Sequence, residues 1–217
     1  MKPLVLINFK IYSEATGKKG VALARAISTV RSRSYDIAIA PEMLILHEVI
    51  GFSLPVYAQH VDPIDFGAHT GQIVPAEIKK IGCVGTLLNH SERKISVEAI
   101  EQTVLFCKRE KLKVVVCAST LNEVRRLARF KPDYIAYEPA ALIGGDVSVT
   151  SAKPSIIKEV ARLVSRISPA TKVLCGAGVH NKEDLKAALR LGACGVLLSH
   201  AVVKAKNPKK FLEEMLG

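Results

Sequence analysis

The sequence predicts a single-domain α/β protein, spanning 1–217, folded as a closed barrel of eight parallel strands with a helix after each. Three observations predict it. Eight short apolar runs recur along the chain, and most lack the polar alternation of a half-exposed sheet. Segments of helical period separate them, and no Gly-x-Gly-x-x-Gly follows the first run, which argues against an open doubly wound sheet. At 217 residues and 49% hydrophobic, the chain is long enough for a compact barrel with a sizeable core.

Strand one is read from LVLINFK at 4–10 and its helix through 17–32. IAIAP at 37–41 precedes a helix at 43–50, and PVYAQH at 55–60 precedes one at 75–81. VGTLLN at 84–89 leads to a helix at 97–110, for which Ser96 is the expected cap, and VVVCA at 114–118 to a helix at 121–130. After YIAYE at 134–138, Ile156, Val160, Leu163 and Ile167 repeat at helical spacing, with Pro154 suited to the first turn. KVLCGAG at 172–178 and GVLLS at 195–199 precede helices at 182–191 and 208–216, with Asn181 and Asn207 as caps. The first strand is expected to pair with the last.

Bulk properties narrow the function. The N-terminus lacks the pattern of a signal peptide and no stretch of eighteen apolar residues occurs, so a cytoplasmic protein without a membrane partner is expected. The five cysteines are scattered singly, none closer than ten residues to another, and read as reduced small hydrophobes; without a Cys-x-x-Cys pair, no metal is expected. The net charge of +11 suits either a nucleic-acid surface or a field that attracts a small anion. Lys and Arg fall mostly on helix faces and aromatics are only 5%, which favours a solvated helical shell over nucleic acid.

The active site of such a barrel gathers at the C-terminal ends of its strands, and polar residues stand there. Strand one ends in Asn8 and Lys10, two residues apart and therefore on one face; strand three ends in Gln59 and His60. Strand four ends in Asn89, His90, Ser91 and Glu92, and strand six in Glu138. Taken singly, Lys10 reads as a snorkelling lysine, His90 as a hydrogen-bonded structural histidine and Glu138 as an ion-pair partner. Together they form a carboxylate, a lysine and a histidine facing one pocket, a set that can move a proton beside a carbonyl. Burial would raise the pKa of Glu138, and N–H groups of the turn after His90 would keep its ring neutral. Glycine turns at 143–145 and 176–178, with LLSHA at 197–201, suit a phosphate.

INFK, GAHTGQI, LLNHSER, YEPAALIGG and VLCGAGV, in that order, resemble the triosephosphate isomerase family in its short archaeal form, essentially from end to end. The resemblance implies a TIM barrel that interconverts two triose phosphates without a cofactor. It implies that Glu138 is the base, that neutral His90 polarises the carbonyl, and that Lys10 stabilises the oxyanion, the arrangement established for this family. It places Asn8 beside the substrate and Ile143, Gly144, Gly178, Ser199 and His200 around its phosphate, with Glu92 and Ser91 as support. It makes Pro139, Ala140, Ala141, Leu142 and Gly145 part of a water-excluding lid. It further implies a homodimer or homotetramer, with loop 66–73 reaching a neighbouring copy through Thr70 at its tip. Gln72 replaces a glutamate that pairs with the arginine matching Arg93, and Ala140, Ala141 and Asp146 depart from the usual lid. Another phosphate-binding barrel isomerase or synthase is the alternative, and a basic nucleic-acid-binding protein the weaker one.

Overall fold

The structure is a computed structural model that describes residues 2–139 and 154–217. Its strands are β1 Leu4–Asn8, β2 Asp36–Ala40, β3 Tyr57–Ala58, β4 Gly85–Leu88, β5 Lys113–Ala118, β6 Tyr134–Tyr137, β7 Lys172–Cys175 and β8 Gly195–Leu198. Its α-helices are α1 Gly17–Ser28, α2 Leu46–Val49, α3 Pro75–Lys80, α4 Val97–Arg109, α5 Leu121–Leu127, α6 Pro154–Ile167, α7 Lys182–Arg190, α8 His200–Val203 and α9 Pro208–Leu216. The strands run in parallel in the order β2-β1-β8-β7-β6-β5-β4-β3. β1 pairs with β8 from Leu4↔Gly195 to Ile7↔Leu198, and a single parallel bridge, Ile39↔Val56, joins the two ends of the order.

Alternation along each strand sorts the side chains onto two faces. One cluster holds Leu4, Leu6, Ala38, Ala40, Tyr57, Leu87, Val115, Cys117, Tyr134, Ala136, Leu174 and Leu197, the filling of the barrel. The intervening residues, among them Val5, Ile7, Ile39, Val114, Val116, Ile135, Val173 and Val196, pack outward in the larger cluster beneath the helices. With both faces buried, the strands read as unbroken apolar runs.

Helix caps follow the sequence. Ser96, Asn181 and Asn207 accept from the backbone N–H groups of Ala99, Asp184 and Lys210 at 3.1, 2.9 and 3.0 Å. Several boundaries differ from expectation. α1 ends at Ser28 rather than at 32, and residues 43–45 form a 3-10 turn before the four-residue α2. β3 keeps only two ladder residues, and beyond it the Gln59 side-chain amide donates to Lys10 O and Ala40 O. α8 escaped the sequence reading, since four residues are too few to display a helical period. Some of the basic residues pair with acidic neighbours on the same helix, as in Lys80–Glu77, Lys209–Glu213 and Lys210–Glu214. Four cysteines are buried and Cys194 is exposed; all five are free.

Candidate active site

Continuing the inward face of each strand one step past its last apolar residue reaches Asn8 on β1, Gln59 on β3, Asn89 on β4, Glu138 on β6 and Ser199 on β8. The same alternation that fills the barrel therefore delivers polar groups to its C-terminal mouth. Asn8, Asn89, His90 and Glu138 are all buried there.

Alternation alone would send His90 outward. Asn89 prevents this: its backbone is left-handed, φ +56, and its side chain donates to Cys117 O at 2.9 Å and accepts from Ile95 N–H at 3.2 Å. The bend brings His90 Nε2 to 3.6 Å from Glu138 Oε1. On the other side of the ring, the Glu92 backbone N–H donates to His90 Nδ1 at 3.2 Å. That donor requires Nδ1 to be the acceptor, so the proton of the neutral ring sits on Nε2, toward Glu138. Burial, opposed by Glu92 and assisted by Lys10 and Lys94, lowers the His90 pKa to about 4, and the ring is neutral at pH 7.

Glu138 is 4% exposed, and burial raises its pKa to about 7 against the lowering influence of the Cys117 thiol, Lys10 and Lys94. Its backbone stays in the sheet through Glu138 N–H to Ala118 O, 2.8 Å. Oε2 is buried and accepts no hydrogen bond among the described residues. A buried, unpartnered carboxylate oxygen is costly unless something else uses it, and a proton acceptor near neutral pH is such a use.

Room for this carboxylate comes from β7. A Cβ on Gly176 would lie 2.4 Å from Glu138 Cγ, so the first glycine of GAG serves the glutamate rather than a phosphate. Gly178, with φ +63, is the one whose backbone conformation itself favours glycine.

The Lys10 ammonium donates to Glu92 Oε1 at 2.7 Å, and its own backbone N–H donates to Asn8 Oδ1 at 3.0 Å. The expected Asn–Lys pair thus forms through the backbone of Lys10, leaving the ammonium to Glu92. Ser91 Oγ and Ser199 Oγ are buried without partners among the described residues. His200 opens α8, is exposed, and has its ring centroid 6.4 Å from that of Tyr12. Pro139 is half-buried, whereas Ala140, Ala141, Leu142, Ile143, Gly144, Gly145 and Asp146 lie outside the described residues.

Thr70, Gln72 and Arg93 are exposed on the loops after β3 and β4. The β3 loop is closed at its neck by two bonds between Asp62 and Ile73, of 2.8 and 2.7 Å, with His60 Nε2 3.0 Å from Asp62 Oδ1. Among the described residues no cluster of His, Cys, Asp or Glu is arranged to hold a metal ion, and no helix is long and apolar enough to cross a membrane.

The chain is similar to known proteins over nearly its whole length. The family model described as triosephosphate isomerase matches residues 3–215. The chain is 42% identical to the triosephosphate isomerase of Methanocaldococcus jannaschii, over 98% of each chain. It is 39% identical to that of Methanosarcina acetivorans, over 99% of this chain and 97% of the relative. In fold it is similar to the crystal structure of triosephosphate isomerase from Bartonella henselae, with a TM-score of 0.80 at 19% identity over 98% of each chain.

Proposed function

We propose, from the premise that this chain belongs to the triosephosphate isomerase family, that Glu138, His90 and Lys10 carry out the proton transfers of its reaction. The reaction is the interconversion of D-glyceraldehyde 3-phosphate and dihydroxyacetone phosphate, a step of glycolysis and gluconeogenesis. The observation that carries the residue assignment is the buried carboxylate of Glu138, with an Oε2 unpartnered among the described residues and a pKa near neutrality, facing the Nε2 side of a neutral imidazole.

Glu138 takes the carbon-bound proton next to the carbonyl. His90 Nε2–H donates to the carbonyl oxygen as negative charge develops, and the Lys10 ammonium stabilises the resulting enediolate. His90 then exchanges protons between the two oxygens, and Glu138 returns its proton to the neighbouring carbon. Asn8 touches the substrate beside Lys10, and Glu92 and Ser91 support His90 and Lys10. Gly178, Ser199 and His200, with Ile143 and Gly144, bind the phosphate through backbone N–H groups. Pro139, Ala140, Ala141, Leu142 and Gly145 form the lid. No cofactor or metal takes part, and the protein acts in the cytoplasm.

A coupled assay on glyceraldehyde 3-phosphate tests this reading through its pH dependence. Glu138 accepts a proton only as the carboxylate, so kcat/KM should rise with pH through a midpoint near 7, once titration of the substrate phosphate near pH 6 has been divided out. A midpoint near 4.5, the ordinary glutamate value, would refute the buried-base assignment.

The protein is further proposed to be a homodimer or homotetramer, built on the β3 loop with Thr70, Gln72 and Arg93. Ile11, Leu44 and Phe66 are 70%, 88% and 65% exposed on the loops following the adjacent strands β1, β2 and β3. Three large apolar side chains at one end of the barrel suit burial against another copy. Sedimentation velocity should find an oligomer that Phe66→Asp weakens; a fully active monomer would contradict the proposal.

A further inference from the structure

Lys10 has a left-handed backbone, φ +50. That region is disfavoured for a residue with a Cβ and persists only where the surroundings hold it. Two side chains do so. Asn8 Oδ1 accepts from the Lys10 N–H at 3.0 Å, and Gln59 Nε2 donates both to Lys10 O at 3.0 Å and to Ala40 O at 3.1 Å. Ala40 O also accepts from Phe9 N–H at 2.9 Å, so Gln59 ties the exit of β1 to the end of β2 at the point where the chain turns left-handed.

The chemistry requires a primary amide. One neutral nitrogen with two hydrogens can satisfy two carbonyl oxygens at once; a carboxylate has no hydrogen to give, and a thioether of similar length has none either. We propose that Gln59 is a positioning residue for Lys10: by fixing both flanks of the Lys10 peptide together with Asn8, it aims the ammonium at the place Glu92 and the substrate share. The proposal rests on the reading of Lys10 as the oxyanion-stabilising cation. Releasing the clamp lets the Lys10 peptide relax toward ordinary backbone angles, and the ammonium loses its preset direction.

A double-mutant cycle tests this. Gln59→Met is expected to lower kcat/KM by about tenfold or more in the wild-type background, with the pH midpoint assigned to Glu138 unmoved. In the Lys10→Ala background, assayed at high enzyme concentration, the same change should cost less than about twofold, because the group it aims is gone. Equal losses in both backgrounds would overturn the proposal, since a merely structural role affects both alike. Unchanged kcat/KM in the Gln59→Met single variant would overturn it too. Wild-type activity in Lys10→Ala alone would instead refute the role of Lys10, and with it the premise. If Gln59→Met loses its cooperative thermal transition, Gln59→Ala, which lets water reach the two carbonyls, takes its place in the cycle with the same expectations.

Discussion

Glutamine at position 138 is expected to lower kcat by about 10⁴-fold while the barrel stays folded. The amide fills the same space beside Cys117 and Gly176 but cannot take a proton from carbon. Its stability should move the other way. Glu138 has a folded pKa of about 7, above its ordinary 4.5, so it binds its proton more tightly in the folded state. Its contribution is therefore fully present below pH 4.5 and is lost as pH rises through 7. The buried carboxylate then costs about 3 kcal/mol of stability at pH 8, which the glutamine variant does not incur. Denaturation of both proteins at pH 5 and pH 8 should show the variant gaining most at the higher pH. A base held at some expense in stability is what a site selected for proton transfer predicts.

Gly176→Ala should lower kcat by on the order of 10²-fold while leaving every group that contacts substrate chemically unchanged. The added Cβ would lie 2.4 Å from Glu138 Cγ and 3.2 Å from Cδ, so something must shift. The backbone has little freedom to yield, because Gly176 N–H donates to Tyr137 O at 2.9 Å within the sheet. The carboxylate is displaced instead. Steady-state kinetics should show the fall mainly in kcat, with circular dichroism unchanged; wild-type kcat would show that Glu138 tolerates the displacement.

The barrel was legible because its strands are buried on both faces. β1, β5 and β6 are apolar over nearly their whole length, and no other arrangement of eight such runs with intervening helices competes well. The polar site residues were legible for the complementary reason: Asn8, Lys10, His90 and Glu138 interrupt apolar runs at their ends, where a buried polar group needs a purpose. Backbone conformation was hidden. Nothing in the residue types says that Lys10 and Asn89 are left-handed, yet Asn89 is what turns His90 inward. Gln59 stood out at the end of its strand, but its partners lie on β1 and β2 and have no local signature. The glycines of GAG were read alike as a phosphate turn, whereas contact with a residue 38 positions earlier separates the role of Gly176 from that of Gly178. The short α8 lacked the length from which a period is recognised, and β3, read over 55–60, keeps only two of those residues in its ladder.

The central claim is that Glu138 removes and returns the carbon-bound proton, and isomerisation in deuterium oxide tests it most directly. A buried carboxylate that carries the proton through an enediolate can exchange it with solvent before returning it. Wild-type enzyme should therefore give product containing deuterium at the carbon that receives the proton, detected by proton NMR, and Glu138→Gln should incorporate it about 10⁴-fold more slowly. Incorporation at the wild-type rate in Glu138→Gln would contradict the account.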